Sequence, residues 1–127
     1  MIQVARAVVE REEEETFLHL VYGCRTQDDV LLKTELDHFS AYWNFTVLFA
    51  LSRTTQSNLA VNPGSIKYAD KVHFGRIDAQ LVEQEMPRPQ TGGGRSIVLI
   101  CGTRSFDDNM IQYLMRLGYT SDMYFKY

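Results

Sequence analysis

The fold is decided by one apolar stretch, Phe45-Thr46-Val47-Leu48-Phe49-Ala50-Leu51. It is rich in β-branched and aromatic residues and carries no charge, which is typical of a buried strand in a parallel sheet. It is also the longest apolar run in the chain. Because it is too short to cross a bilayer, we predict no membrane segment in this chain.

Outward from this stretch, predicted strands and helices alternate. Apolar β-rich runs predict three more strands, at residues 16–22, 96–101 and 123–127. Apolar residues at helical spacing predict helices at residues 1–15, 29–42, 75–85 and 106–117. Two polar connections complete the pattern, a long loop at residues 52–72 and a flexible connector at residues 86–95. We therefore predict an α/β fold, a Rossmann-like parallel sheet with helices on both faces.

Composition and charge exclude several classes of protein. The chain has 127 residues, of which 45% are hydrophobic and 23% charged, which is the balance of a soluble globular domain. This length predicts one domain with one core. The 13 Lys and Arg against 16 Asp and Glu give a net charge of −3. We predict no nucleic-acid partner, because duplex-binding proteins usually present a basic face.

Cysteine usage indicates a reducing compartment. Cys24 and Cys101 are too few for a disulfide-rich secreted scaffold, and the N-terminal residues lack the basic and apolar regions of a signal peptide. We expect two reduced, buried thiols. The expected location is intracellular, either cytoplasmic or at the cytosolic face of a membrane.

Ligands of parallel α/β sheets bind at the carboxyl ends of the strands, and three such ends carry suitable side chains. The first is Tyr22-Gly23-Cys24-Arg25. Its glycine admits a ligand close to the backbone, and its guanidinium can pair with a phosphate or stack on adenine. A tight turn in which Asp28 or Asp29 caps the next helix is the alternative interpretation.

The second strand end is Ala50-Leu51-Ser52-Arg53. A hydroxyl beside a guanidinium offers a phosphate one hydrogen-bond donor and a fork of charged donors. In a dinucleotide site, an acid at this place would accept hydrogen bonds from the ribose 2′-hydroxyl, whereas an arginine suits a 2′-phosphate. A solvated Ser-Arg pair at the mouth of a loop is the alternative.

The third strand end, Ile100-Cys101-Gly102-Thr103-Arg104-Ser105-Phe106, leads into a predicted helix. Gly102 permits close approach of a ligand, and the helix start offers free N–H groups to an anion. Cys101 lies at the tip of the strand. A buried cysteine before a glycine turn is the alternative, since free cysteines often pack as small apolar side chains.

In their order and positions, the three strand ends resemble the pyridine-nucleotide half of the ferredoxin–NADP reductase superfamily, in particular the NADH–cytochrome b5 reductases. Over essentially the whole chain, the likeness is carried by Met1-Ile2-Gln3-Val4-Ala5-Arg6-Ala7, by Arg25-Thr26-Gln27-Asp28-Asp29-Val30-Leu31-Leu32 with Glu35-Leu36, and by Ile100-Cys101-Gly102. The first resembles the opening of the family's first helix in this half, the second its leucine-rich helix, and the third its cysteine-glycine turn.

The resemblance implies a function and a set of site residues. NADH or NADPH would pass a hydride to the FAD of a preceding domain in the same chain, and electrons would leave singly to a haem acceptor such as cytochrome b5. Cys101 is implied as the catalytic residue at the nicotinamide. The implied cofactor-binding residues are Tyr22, Gly23, Arg25, Ser52, Arg53, Gly102, Thr103 and Phe106.

The sequence departs from the family pattern at three places. Residues 1–127 resemble a C-terminal NAD(P)H-binding domain that is N-terminally incomplete, since the glycine-rich loop, the first (central) strand and the FAD domain have no counterpart. Family order puts that strand between the strands at residues 16–22 and 96–101, so we expect unpartnered edges and marginal stability. Thr103-Arg104-Ser105 replaces the usual prolines. Ser52 replaces an aspartate typical of NADH-specific members, which favours NADPH, although Arg53 alone is compatible with NADH.

Other interpretations stay open. A non-catalytic nucleotide-binding or interaction module derived from the same fold would also explain the missing loop and the altered cysteine-glycine turn. We predict no metal site, because His19, His38 and His73 share no ligand spacing with the cysteines. His38 is expected to be solvated and His19 to be packed in its strand. Trp43 is expected to pack in the core or at a helix end.

Overall fold

The computed structural model describes residues 1–89 and 96–127, which form two compact units. The N-terminal unit is Ile2–Arg76, and the C-terminal unit is Ile77–Tyr127 together with Met1. Every strand pairing in the described residues is parallel. The predicted α/β class is therefore confirmed. Most of the predicted connector at residues 86–95 lies outside the described residues.

The N-terminal unit is built on a three-stranded sheet in the order β1-β2-β3. Its elements are α1 (Ile2–Val9), β1 (Leu18–Cys24), a 3-10 turn (Gln27–Asp29), α2 (Lys33–Phe39), β2 (Phe45–Leu51), α3 (Gln56–Val61) and β3 (Lys71–Phe74). The central strand β2 has the bounds that its apolar composition predicts. Its last four residues pair with β1 on one side and β3 on the other.

One face of this sheet carries the core of the unit. Phe45 and Phe49 of β2 pack with Leu36 and Phe39 of α2 and with Val9 of α1, and all five side chains are buried. Since neighbouring side chains in a strand point to opposite faces, these alternate β2 residues place α1 and α2 on the same side.

A group of charges anchors α2 to the loop before β3. Lys33 is only 7% exposed, and its Nζ lies 2.5 Å from Asp37 Oδ1 and 2.9 Å from Asp70 Oδ2. Lys67 Nζ lies 3.0 Å from the other oxygen of Asp37. Burial alone would raise the pKa of Asp37, but hydrogen bonds and charge from Lys33 and Lys67 lower it overall. The buried ammonium is thus neutralised by two carboxylates, as a buried charge requires.

The C-terminal unit has the elements α4 (Ala79–Glu85), β4 (Val98–Ile100), α5 (Arg104–Arg116) and β5 (Tyr124–Lys126). Its core consists of buried side chains from the two helices, from β4 and from the loop after α5, namely Val82, Ile100, Met110, Leu114 and Tyr119. In the described part of the chain, β4 pairs only with β5 and β1 only with β2. Among the described residues, β1 and β4 therefore each have one edge without a partner strand.

The predicted helix at residues 29–42 is interrupted. Thr26 and Asp29 form a reciprocal capping box on the 3-10 turn. Leu32 then adopts a left-handed conformation with φ 58°, and only from Lys33 does a regular α-helix begin. The left-handed conformation costs a non-glycine residue on the order of 1 kcal/mol, so leucine rarely adopts it. The apolar periodicity of the sequence therefore gives no sign of this break in the helix.

The predicted loop at residues 52–72 contains helix α3 and the start of strand β3, neither of which was predicted from the sequence. Thr55 caps α3 by accepting a hydrogen bond from Asn58 N at 3.2 Å, and β3 pairs with the end of β2. The strand is four residues long and exposed at both ends, so it carries no apolar run. On the other side of β2, strand β1 continues to Cys24, beyond the predicted end at residue 22, so Gly23 and Cys24 belong to the strand and not to a turn.

Two predictions of burial are wrong. Trp43 is 71% exposed because it lies in the turn after α2, beyond the last helical residue that faces the core. Cys101 is exposed because it follows the final residue of β4. Both cysteines are free, and Cys24 is half-buried where burial was expected. His38 is exposed, as predicted. Among the described residues, no helix combines the length and apolarity needed to cross a membrane.

Candidate functional site

The carboxyl edge of the three-stranded sheet is shaped by hydrogen bonds that continue beyond the paired strands. Ser52 N donates to the carbonyl of Cys24 at 3.0 Å, and Arg53 N donates to the carbonyl of Arg25 at 2.8 Å. These bonds keep the chain segments after β1 and β2 side by side. The structure therefore brings Arg25, Ser52 and Arg53 together at one edge, where parallel α/β sheets bind ligands.

This edge carries positive charge without a counter-ion. The side chains of Arg25 and Arg53 are exposed, and neither forms an ion pair with another described residue. Of the two acids in the 3-10 turn after Arg25, Asp29 accepts hydrogen bonds from Thr26 N at 3.1 Å and Thr26 Oγ1 at 3.0 Å. Asp28 forms no ion pair with either arginine in the described part of the chain. The guanidinium groups are thus available to an anionic ligand.

Tyr22 and Gly23, the other predicted residues at this edge, have different surroundings. The ring of Tyr22 packs 6.2 Å from that of Phe49 on the core face, and its hydroxyl accepts a hydrogen bond from Leu31 N at 3.1 Å. Through this hydrogen bond, Tyr22 holds the segment around Leu31, between β1 and α2, against the sheet. Gly23 is exposed and is level with Ala50 and with His73 of β3.

Buried polar residues that sequence reasoning missed hold the loops behind this edge. Gln27 is 6% exposed; its amide donates to the carbonyl of Asn62 and its Oε1 accepts from Thr54 Oγ1 at 2.9 Å. These bonds join the loops that follow β1, β2 and α3. These buried hydrogen bonds could not be predicted from the sequence, because a glutamine and a threonine in polar loops are usually exposed.

Cys24, at the tip of β1, is a half-buried thiol. Its Sγ donates to the carbonyl of Thr26 at 3.4 Å. Burial, and secondarily the charge of Asp29, raises the pKa of this thiol. Since the thiolate is the nucleophilic form, the raised pKa disfavours nucleophilic chemistry at Cys24.

The end of β4 contains the other predicted site residues. Cys101 and Gly102 are exposed, and Thr103 caps α5 by accepting a hydrogen bond from Phe106 N at 3.2 Å. A Cβ on Gly102 would lie 2.4 Å from Cδ1 of the Phe106 ring. The packing of Phe106 thus requires glycine here, with or without a ligand.

Metal-type side chains do not cluster in the described residues, where no group of three His, Cys, Asp or Glu is placed to hold a metal ion. His19 Nδ1 lies 2.6 Å from Thr46 Oγ1 across β1 and β2. His38 stacks edge-on with Tyr42, with ring centroids 5.8 Å apart. Both imidazoles have partners within the protein.

Comparison with known proteins matches residues 1–112 to the family model described as the oxidoreductase NAD-binding domain. Over 127 residues the chain is 30% identical to the mouse protein "NADH-cytochrome b5 reductase-like", covering 98% of this chain and 37% of the mouse protein. The human protein of the same name is 29% identical over 125 residues, covering 98% and 38%. An NADPH nitrate reductase of Emericella nidulans is 30% identical over 122 residues, covering 96% and 13%. The chain thus spans well under half the length of these relatives.

Proposed function

The chain belongs to the oxidoreductase NAD-binding domain family, and from this premise we propose that it is the pyridine-nucleotide-binding part of a flavin-dependent NAD(P)H reductase of cytochrome b5 reductase type. The proposed reaction passes reducing equivalents from NAD(P)H to FAD and on to a haem protein. The FAD domain is proposed to lie in the same chain. The acceptor is proposed to be a haem protein such as cytochrome b5, which the names of the mouse and human relatives contain.

The observation that carries this proposal is the uncompensated charge at the carboxyl edge of the β1-β2-β3 sheet. A nucleotide cofactor brings phosphates and ribose hydroxyls, and the exposed Arg25 and Arg53 flank Ser52, a hydroxyl with no side-chain hydrogen bond to another described residue. Guanidinium groups bind phosphate through paired hydrogen bonds, and a neighbouring hydroxyl adds a donor. The residues present therefore fit the adenosine phosphates of NAD(P)H.

Each unit has its own proposed task. Arg25, Ser52 and Arg53 bind and orient the phosphate-bearing half of the nucleotide in the N-terminal unit. In the C-terminal unit, the exposed Cys101 is the proposed catalytic residue at the nicotinamide side, held at its place by the capped start of α5. When bound, the nucleotide and FAD together supply the hydride and one-electron chemistry, for which the protein provides orientation and electrostatics.

Nucleotide choice follows from the residue at the end of β2. A carboxylate there would repel a 2′-phosphate and accept hydrogen bonds from a 2′-hydroxyl, whereas this chain has Ser52 followed by Arg53. We therefore propose a preference for NADPH. The names of the relatives include both NADH and NADPH, so the family permits either.

The test joins this chain to a flavin-binding reductase domain and follows bleaching of the flavin absorbance on anaerobic addition of NADH or NADPH. Bleaching by either nucleotide is the expected result. The absence of bleaching, with nucleotide binding retained in calorimetry, would identify a non-catalytic nucleotide-binding module. The absence of both would reject nucleotide function altogether.

We also propose an intracellular location, at the cytoplasm or the cytosolic face of a membrane. The two free thiols support a reducing compartment. Microscopy of the tagged full-length protein together with thiol labelling in intact cells tests this. Recovery of the protein in a secreted fraction would contradict it.

A further inference from the structure

The amino end of the β1-β2-β3 sheet carries two exposed aromatic side chains. Phe17, directly before β1, is 55% exposed, and Trp43, two residues before β2, is 71% exposed. Leu18 N donates to the carbonyl of Asn44 at 2.8 Å, which keeps the segments before the two strands side by side. The two rings therefore start from neighbouring segments. Tryptophan is highly buried on average and is enriched in protein interfaces, so an indole this exposed is available to a partner.

An acidic run, Glu12–Glu15, lies beside these aromatic residues. None of its four carboxylates forms an ion pair with another described residue. The hydroxyl and the backbone N–H of Thr16 donate to Glu14 Oε1 at 2.5 and 3.1 Å, and these bonds lower the pKa of the Glu14 carboxyl. Asn44 Nδ2 in turn donates to the carbonyl of Thr16 at 3.0 Å. These bonds tie the acidic run to the segment that carries Trp43.

A groove between α1 and α2 extends the acidic surface. It has a volume of about 580 Å³ and is lined by Arg6, Glu10, Thr34, Glu35, His38 and Phe39. Two of these side chains are carboxylates. The guanidinium of Arg6 lies 3.9 Å from Glu10 Oε1 and 5.9 Å from the centre of the Phe39 ring. The chain leaves the groove at Glu10 and reaches the acidic run two residues later, so the groove and the run form one surface.

The chemistry of this surface selects a cationic partner. A lysine or arginine side chain over the face of a tryptophan gains a cation–π attraction, and neighbouring carboxylates add direct charge attraction. From Glu10 to Glu15 the sequence has five glutamates and one arginine, Arg11. The same charges repel nucleic acids and membranes rich in anionic lipids. The exposed indole and the unpaired carboxylates thus complement a basic segment of a protein.

We propose that the amino-end surface, formed by Phe17, Trp43, the acidic run and the groove between α1 and α2, docks an arginine- or lysine-rich segment of a partner protein. Trp43 stacks on one cationic side chain, and the carboxylates around it pair with others. The surface lies at the opposite end of the strands from the proposed nucleotide site and shares no residue with it. Docking therefore goes beyond the proposed function and does not depend on it.

The test titrates residues 1–127 with a peptide of alternating arginine and alanine, and separately with the matching glutamate-alanine peptide. The fluorescence of Trp43, the one tryptophan of the chain, reports binding directly at the proposed surface. The arginine peptide is expected to change this fluorescence saturably, with an affinity that falls as the ionic strength rises. The glutamate peptide is expected to leave the fluorescence unchanged.

Matched substitutions distinguish docking from general charge attraction. Trp43→Ala is expected to weaken binding of the arginine peptide by about fivefold in calorimetry. Tyr68→Ala is its control, because Tyr68 is a fully exposed aromatic residue in the loop before β3. Glu13→Gln is expected to weaken binding by about threefold, whereas Glu83→Gln removes the same charge from α4 in the C-terminal unit. Both controls should change the affinity by less than about 1.5-fold.

Several outcomes would overturn the proposal. Equal weakening by Trp43→Ala and Tyr68→Ala, or by Glu13→Gln and Glu83→Gln, would show attraction to the net charge alone. Absence of arginine-peptide binding, or binding to vesicles of anionic phospholipid in place of the peptide, would also reject it. Each of these results leaves the proposed nucleotide function untouched. Trp43 is exposed, so its variant is expected to fold, and the circular dichroism spectrum verifies this.

Discussion

Two groups of cations in the N-terminal unit differ in burial and in partners. Lys33, the first residue of α2, is buried and is neutralised by Asp37 and Asp70 at 2.5 and 2.9 Å. Arg25, Arg53 and Arg76 are exposed at the carboxyl edge of the sheet and form no ion pair with a described residue. The buried ammonium therefore serves the fold, and the exposed guanidinium groups are free to serve a ligand.

The comparison shows how charge is divided between stability and binding. A buried charge without its partner costs folding free energy. Removal of Lys33 leaves Asp37 and Asp70 without their shared cation and is therefore expected to lower the stability of the fold strongly. A solvated arginine contributes little to stability, so its removal is felt only when an anion is bound. Removal of Lys33 is therefore expected to affect stability more than removal of any of the exposed arginines.

Lys33→Met is expected to lower the free energy of unfolding by about 3 kcal/mol, because it leaves two carboxylates together without the cation between them. Urea unfolding followed by the fluorescence of Trp43, the one tryptophan and a residue of this unit, measures the change. Lys67→Met is the matched control: Lys67 also contacts Asp37 but is 68% exposed, so a loss below about 1 kcal/mol is expected. Equal losses of unfolding free energy in Lys33→Met and Lys67→Met would contradict the distinction between the buried and the exposed lysine.

Arg53→Ala is expected to weaken NADPH binding more than NADH binding, by roughly 1–3 kcal/mol, because a charged hydrogen bond to the 2′-phosphate is lost. Its free energy of unfolding should change by less than about 0.5 kcal/mol, as for other solvated surface positions. Calorimetry with both nucleotides and urea unfolding together measure the two effects. An equal loss for both nucleotides would mean that Arg53 does not contact the 2′-phosphate.

Thr103→Ala is expected to destabilise α5 by about 1 kcal/mol, because the hydroxyl that caps the helix is removed. Ser52→Ala provides the matched control, since Ser52 Oγ forms no hydrogen bond with a described residue and its loss should leave stability unchanged. Thermal unfolding and amide exchange at Phe106, the capped N–H, report the difference. If both substitutions cost the same, the Thr103 cap does not stabilise α5.

The smallest change in the free energy of unfolding is expected when the pH is lowered. Because the pKa of Asp37 is lower in the folded protein, its ion pairs contribute stability above the ordinary carboxyl pKa of about 4 and lose it as the pH falls through the folded value. The stability difference between the wild type and Lys33→Met should therefore narrow below about pH 4. A difference that stays constant with pH would show that the ionised carboxylates do not account for it.

Part of the fold and of the site could be predicted because the signals are local. The apolar stretch Phe45–Leu51 needs burial on both faces, so its composition alone determines a central strand. The short strand Lys71–Phe74 could not be found in this way, because it is a strand only through pairing with the end of β2. The break at Leu32 was equally hidden, since its left-handed backbone contradicts the propensity of leucine.

By itself, the sequence determined the α/β class, the central strand and the placement of arginines and hydroxyls after strands. The tertiary structure alone decided which charged groups are available. Lys33 forms an ion pair with Asp70, which lies far away in sequence and is brought near by the loop before β3. Arg25 and Arg53 lie side by side only because β1 pairs with β2 and the chain segments after these strands stay hydrogen-bonded. The reason is physical: the availability of a charge depends on burial and on partners, and both are set by chain segments that are distant in sequence.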